Sequence, residues 1–139
     1  MNNASKQHHQ FLLELVFVCC LIALDLVVKS LSPYSYANYF FAFSLPLPSR
    51  PIIVLAWFLI VVLIIWLYLT PRARFQRHAA LTLIIAGGTA NTIERAFRGY
   101  VTNIIQLSQS SFNLADIYVF IGIGLLLLSV FRSNPAEPS

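Results

Sequence analysis

Charged side chains are scarce in this chain of 139 residues, since Asp, Glu, Lys and Arg together make up only 10% of it. A soluble globular domain carries about 25% of such residues, so the shortage excludes that class. The nine Lys and Arg side chains are too few and too scattered to form a surface for nucleic acid. The two cysteines, Cys19 and Cys20, are adjacent in an apolar run, which argues against a mutual structural disulfide.

The sequence also lacks a cluster of residues at the spacing of a metal site. His8 and His9 are potential ligands, but they stand in the polar start of the chain without a further ligand nearby. Such a composition indicates a solvated tail. We therefore predict no metal and no cofactor, and a disordered tail over residues 1–10.

Long apolar runs are what the chain has in abundance, and 58% of its residues are hydrophobic. Phe11–Leu31 is a run of 21 residues, which at about 1.5 Å per residue crosses a hydrocarbon core of about 30 Å. We interpret it as a membrane span rather than a cleavable signal peptide, because it is long and because Val18, not a small residue, precedes Cys19. The further predicted spans are Pro51–Leu69, Ala79 to about Phe97, and Phe112–Phe131.

These runs predict an all-α membrane protein with four transmembrane helices in one domain, residues 11–132, followed by a disordered tail over residues 133–139. The loop between the second and third spans holds Arg72, Arg74 and Arg77 and is the most basic of the chain. The positive-inside rule places this loop in the cytoplasm. Both termini are then cytoplasmic, and the short aromatic loop after the first helix, residues 32–50, is extracytoplasmic.

Three acids are predicted at the outer ends of three different spans: Asp25, Glu94 and Asp116. A charged side chain at the centre of a membrane costs about 2.5 to 3.5 kcal/mol, which disfavours their placement at one depth by chance. Depth alone does not distinguish a site from three residues that reach for the interface. Lys29 lies one helical turn after Asp25, so these two can pair, either as an anchor or as part of a site.

Polar and small residues recur at steps of three and four near the end of the third span. Gly87, Gly88, Asn91, Glu94 and Arg95 therefore share one helix face. A face with an amide, a carboxylate and a guanidinium does not point into lipid. It must contact other helices, water or a ligand, and we predict a substrate.

Four blocks of residues follow one another along the chain. They are Asp25 and Lys29; Asn38, Ala42 and Phe43; Gly87, Gly88, Asn91, Glu94 and Arg95; and Phe112, Asn113, Ala115 and Asp116. These blocks resemble the motifs of the type II signal peptidases, membrane aspartic peptidases that remove signal peptides from bacterial prolipoproteins. The resemblance covers nearly the whole chain, and it depends on the order of the blocks more than on any one of them.

The resemblance implies that two carboxylates hold one proton and a water between them, one as base and the other as acid. Asp116 matches one of these carboxylates. In the family the other lies nine positions after the acid of the Asp-Arg pair, and counting from Glu94 this position is Asn103. An amide has no basic oxygen, so either Glu94 serves as the second carboxylate or that role is lost. The sequence fits both a natural chain with Asn103 and an Asp-to-Asn variant.

The resemblance gives the remaining matched residues supporting or substrate-binding roles. These residues are Asp25, Lys29, Asn38, Gly87, Gly88, Asn91, Arg95 and Asn113.

The implied function is that of an intramembrane aspartic endopeptidase in the bacterial cytoplasmic membrane, a monomer with its site on the extracytoplasmic side. Its partners would be membrane lipid and the lipid-modified signal peptide of a prolipoprotein, and not nucleic acid. Because of Asn103, one alternative is a non-catalytic relative that binds lipopeptide or lipid. Another alternative, suggested by Glu14 in the first span and by the size of the chain, is a small proton-coupled exporter.

Overall fold

The computed structural model describes residues 3–39, 49–71, 74–108 and 110–132. Within these residues there are four helices and four short strands. The helices are α1 (Asn3–Leu31), α2 (Ser49–Leu69), α3 (Phe75–Arg98) and α4 (Leu114–Arg132). The strands are β1 (Tyr36–Asn38), β2 (Val101–Asn103), β3 (Ile105–Leu107) and β4 (Ser110–Phe112).

Three helices of the described part of the chain are long and apolar enough to cross a membrane. They contain the spans His8–Leu31, Pro51–Leu69 and Leu114–Arg132. The protein is therefore a mostly helical membrane protein. The third predicted span lies within α3, which is less apolar because it carries the polar face described above.

The start of α1 differs from the prediction. This helix begins at Asn3, within the predicted tail, and not at Phe11. The residues ahead of Phe11 include neither Pro nor Gly, and adding a residue to an existing helix is far easier than starting one. The predicted tail over residues 133–139 lies outside the described residues.

α3 is the central helix, because α1, α2 and α4 all pack against it. Small residues let α4 approach it closely. A Cβ atom at Gly87 would overlap the backbone oxygen of Ala115 and come within 2.8 Å of Val119 Cγ2. Close contact through small residues is the usual way in which helices associate in membranes. The side chains of the core come from all four helices: Val18, Leu67, Leu81, Ile85, Ala86 and Tyr118.

The strands lie where α3 ends and α4 begins. β1 pairs with β2 in antiparallel register, with Tyr36 opposite Asn103 and Asn38 opposite Val101. β3 and β4 form a hairpin. The prediction of an all-α fold was therefore incomplete, because strands of three residues are too short to show an alternating pattern in the sequence. Of the predicted aromatic loop, residues 40–48 lie outside the described residues.

A polar contact lies near the start of α3, at the end of this helix that is remote from the strands. His78 Nε2 is 3.0 Å from the backbone oxygen of Thr70, to which it donates a hydrogen bond, and His78 Nδ1 is 3.2 Å from Glu14 Oε1. The contact joins α1, the end of α2 and the start of α3. Glu14 thus faces the interior of the bundle at this point.

Candidate functional site

Asp116 and Asn113 form a reciprocal capping arrangement at the start of α4. The Asp116 backbone N–H donates to Asn113 Oδ1 at 2.9 Å, and the Asn113 backbone N–H donates to Asp116 Oδ2 at 3.1 Å. A polar residue followed three positions later by an acid is the sequence pattern of this motif. Asp116 Oδ1 accepts a further hydrogen bond from Asn91 Nδ2 at 2.8 Å. The Asp116 side chain is half-buried, so part of it remains open to a ligand.

The amide of Asn113 links Asp116 to position 103. Asn113 Nδ2 donates to Asn91 Oδ1 at 3.1 Å and to Asn103 Oδ1 at 2.9 Å. Because the Asp116 backbone N–H is only a donor, Asn113 must turn its oxygen toward Asp116 and its nitrogen toward Asn103. This constraint fixes the orientation of the Asn113 amide and, because Asn113 Nδ2 donates to Asn103 Oδ1, that of the Asn103 amide as well.

Asn103 is buried, with 1% of its surface exposed, and both ends of its amide are engaged. Its Nδ2 atom donates to the backbone oxygen of Ser111 at 2.7 Å and to Ser111 Oγ at 2.9 Å. The carbonyl of Ser111 can only accept, so the amide nitrogen of Asn103 is the atom that faces it. Asn103 reaches Asp116 through Asn113 and adds no basic group to the site.

Glu94, which the sequence leaves open as a substitute for a catalytic Asp, is engaged on both carboxylate oxygens. Oε2 accepts from Lys29 Nζ at 2.9 Å and from the Thr102 backbone N–H at 3.1 Å. Oε1 accepts from Arg98 Nη1 at 3.0 Å and from the Thr102 hydroxyl. These contacts fasten β2 to the end of α3. Glu94 thus holds the strand that carries Asn103 and is committed to these donors.

Asp25 and Lys29 form a buried ion pair, with 2.8 Å between Nζ and Asp25 Oδ2. Lys29 Nζ also donates to Asn91 Oδ1 at 3.4 Å. Asp25 Oδ1 accepts from the backbone N–H of Ala115 at 2.9 Å, so a residue of α1 caps α4. The pair lies at the junction of α1, α3 and α4.

The other predicted site residues lie around this network. Arg95 interacts electrostatically with Asp116 and Glu94. Asn38 is half-buried in β1, the strand that pairs with β2. Gly87 contributes by close packing, whereas a Cβ atom at Gly88 would meet, among the residues that the structure describes, only Ile60 Cγ1, at 3.9 Å. The matched residues 42 and 43 lie outside the described residues.

The sequence did not assign Thr102 or Ser111 to the site, although both bind predicted site residues. Their contacts arise because the chain turns back after α3. Gly99, with φ of 78°, ends that helix, and its N–H donates to the backbone oxygen of Arg95 at 3.0 Å. No local pattern reveals such a return. Arg98, by contrast, lies four residues after Glu94, so their pairing follows from helical spacing.

The arrangement can hold one partly open carboxylate in a shell of amides. Groups of three or more His, Cys, Asp or Glu side chains able to hold a metal ion do not occur within the described ranges. Ionised Asp116 has room for about four hydrogen bonds and uses two of them for Asn91 and Asn113. The remaining positions can accept from a water molecule or from a ligand.

Known proteins resemble this chain in sequence. The family described as Signal peptidase (SPase) II matches residues 27–132. A lipoprotein signal peptidase of Sinorhizobium fredii is 34% identical over 114 residues, which cover 73% of this chain and 66% of that protein. One of Xylella fastidiosa is 40% identical over 81 residues, 52% of this chain and 48% of that protein. The matched parts thus span about half to two thirds of these relatives.

Solved structures resemble the fold. A bacterial membrane enzyme determined by the in meso method at 2.3 Å superposes with a TM-score of 0.77 and 16% identity, over 91% of this chain and 93% of the other. A second such structure, determined at 1.9 Å, superposes with a TM-score of 0.73 and 17% identity, over 87% of this chain and 94% of the other. Its apolar helices and its bacterial relatives indicate a protein of the bacterial inner membrane. It belongs to the signal peptidase II family, as the match over residues 27–132 shows.

Proposed function

We propose that this protein binds the lipid-modified signal peptides of prolipoproteins beside Asp116 and, with Asn103 in place, does not hydrolyse them efficiently. The relatives are called lipoprotein signal peptidases, which supports the ligand class. The observation that carries the proposal is the buried amide of Asn103, bound at one end by Ser111 and at the other by Asn113.

The chemistry of peptide hydrolysis gives the reason for the lost activity. A pair of carboxylates can remove a proton from the attacking water and return one to the departing amine, whereas Asp116 alone supplies one such group. The amide of Asn103 accepts no proton at working pH, and Glu94 is occupied by Lys29, Thr102 and Arg98. Loss of one general acid or base lowers a rate about 10²- to 10⁴-fold, and we expect a loss in this range.

The proposal includes an arrangement in the membrane. α3 would also cross the membrane, which gives four spans in all, and the three helices around it would shield it from lipid so that its polar face is tolerated. Both termini would lie in the cytoplasm and Asp116 near the opposite surface, where the lipid-modified cysteine of a prolipoprotein arrives. The protein would act as a monomer, with residues 11–132 forming a single domain.

Binding without turnover tests the proposal. The protein is reconstituted in vesicles with a fluorescent prolipoprotein that carries a diacylglyceryl cysteine, and binding and cleavage are measured on the same sample. We expect saturable binding, loss of binding when the lipid is omitted from the probe, and no cleavage over hours. Asp116→Ala should weaken binding, whereas Ser110→Ala, an exposed position on β4, should not.

Two results would contradict the proposal. One is rapid cleavage by the unaltered protein that Asp116→Ala abolishes, which would establish a working peptidase. The other is an equal affinity for lipidated and unlipidated probes, which would remove the ligand class.

A further inference from the structure

The β3–β4 hairpin, made of Ile105–Leu107 and Ser110–Phe112, has two chemically different faces. Ile105 is opposite Phe112 and Leu107 is opposite Ser110, so these four side chains share one face. Gln106 and Ser111 share the other face, and Ser111 holds Asn103. Three of the four side chains on the first face are apolar and open to the surroundings, since Ile105 is 44%, Leu107 69% and Phe112 38% exposed; we call this the apolar face.

The position of the hairpin puts this apolar face near the surface of the membrane. Phe112 stands two residues before Leu114, the first residue of the α4 span. A strand of three residues rises about 3.3 Å per residue, so the tip lies within about 10 Å of the base. The headgroup layer on each side of the hydrocarbon core is about 5 to 7 Å thick. The base of the hairpin therefore lies at the headgroup layer, and the tip lies there as well when the hairpin follows the membrane surface.

The helix that follows the hairpin, α4, exposes large apolar side chains toward lipid. Phe120, two turns into α4, is 80% exposed in a helix that crosses the membrane. Phe120 follows Phe112 by about two helical turns, so the lipid-facing surface of α4 lies close to the hairpin along the chain. Aromatic and aliphatic side chains, such as those on the apolar face of the hairpin, are favoured in the interfacial layer that borders such a surface.

We propose that the apolar face of the β3–β4 hairpin is a membrane-contact surface. Ile105, Leu107 and Phe112 insert at the boundary between headgroups and acyl chains, while Ser111 on the opposite face holds the amide of Asn103. The lipid surface then fixes the hairpin, and through Ser111 it fixes position 103 relative to the membrane. This inference does not depend on the proposed function, because it concerns lipid and not the lipopeptide.

Two neighbouring probe positions test the inference. Cys19 and Cys20, both exposed, are replaced by alanine, and a nitroxide is attached through Leu107→Cys in one sample and Gln106→Cys in another. Both positions are exposed, so neither label disturbs the packing. Collision with oxygen, which concentrates in lipid, is compared with collision with a water-soluble nickel complex in vesicles of phosphatidylethanolamine and phosphatidylglycerol.

The inference predicts that the label at position 107 meets oxygen several-fold more often than nickel, and that the order is reversed at position 106. A label through Ile105→Cys should behave like the one at position 107. If both faces are equally open to nickel, the hairpin stands in water and the inference is wrong. A different result would be that position 107 is shielded from both reagents and that diluting the protein in lipid removes this shielding. The inference would then also be wrong, because a second copy of the protein, and not lipid, covers the face.

Discussion

Two adjacent glycines in α3 allow the packing of the bundle to be tested with a built-in control. Gly87→Ala places a methyl group against the backbone oxygen of Ala115 and 2.8 Å from Val119 Cγ2, and a backbone atom cannot rotate away as the end of a side chain can. Gly88→Ala meets only Ile60 Cγ1, at the ordinary contact distance of 3.9 Å. The two changes add the same atoms to the same helix, but only the first one forces α3 and α4 apart.

The magnitudes follow from the two environments. Alanine in place of glycine within a helix is favourable by about 0.8 to 1 kcal/mol, and this gain applies to both variants. Overpacking costs about 1 to 3 kcal/mol and applies to Gly87→Ala alone. We therefore expect Gly88→Ala to be slightly more stable than the unaltered protein, and Gly87→Ala to be about 1 to 3 kcal/mol less stable than Gly88→Ala.

Reversible unfolding in mixed micelles, followed by circular dichroism, measures this difference in the free energy of unfolding. Equal stability of the two variants would refute the close approach of α3 and α4 at Gly87. A loss of stability in Gly88→Ala alone would mean that α2, and not α4, is the tightly packed neighbour.

The remaining predictions concern the residues that hold the site together, and the same unfolding experiment measures each of them. Asp25→Asn removes one of the two carboxylates that pair with the buried Lys29, Glu94 being the other, and should cost about 1.5 to 3 kcal/mol; combined with Lys29→Met the loss should be smaller than the sum of the two single losses, and full additivity would contradict the ion pair. Thr102→Val removes a donor to the Glu94 carboxylate and should cost about 1.5 to 3 kcal/mol, and Thr102→Ser should retain most of the stability. Gly99→Ala imposes a positive φ of 78° on a residue with a Cβ atom and should cost about 1 to 2 kcal/mol; no loss would mean that α3 ends differently.

The sequence predicts the parts of this structure that depend on local spacing. The lengths of the apolar runs indicate the helices, because a membrane requires a minimum length of apolar helix. Asn91 and Glu94 share a helix face because they are three residues apart, and both join the network around Asp116 and Lys29. Asn113 and Asp116 likewise form a motif that is visible in four consecutive residues.

Contacts between distant segments could not be predicted in this way. The bond from Ala115 to Asp25 joins residues 90 positions apart, and a cap supplied by another helix has no pattern in the sequence. The role of Glu94 depends on Gly99, whose left-handed conformation turns the chain so that Thr102 returns to the end of α3. The sequence supplied Glu94 as a possible second carboxylate, and only the path of the chain shows which donors occupy it.

The cleavage rate of Asn103→Asp tests the account most directly. A lipid-modified prolipoprotein is incubated in vesicles with the unaltered protein, with Asn103→Asp, and with the double variant Asn103→Asp and Asp116→Asn, and the released signal peptide is quantified. We predict that Asn103→Asp cleaves about 10²- to 10⁴-fold faster than the unaltered protein and that the double variant returns to the low rate. If the unaltered protein and Asn103→Asp cleave equally fast, the amide at position 103 does not limit hydrolysis, and the account is contradicted.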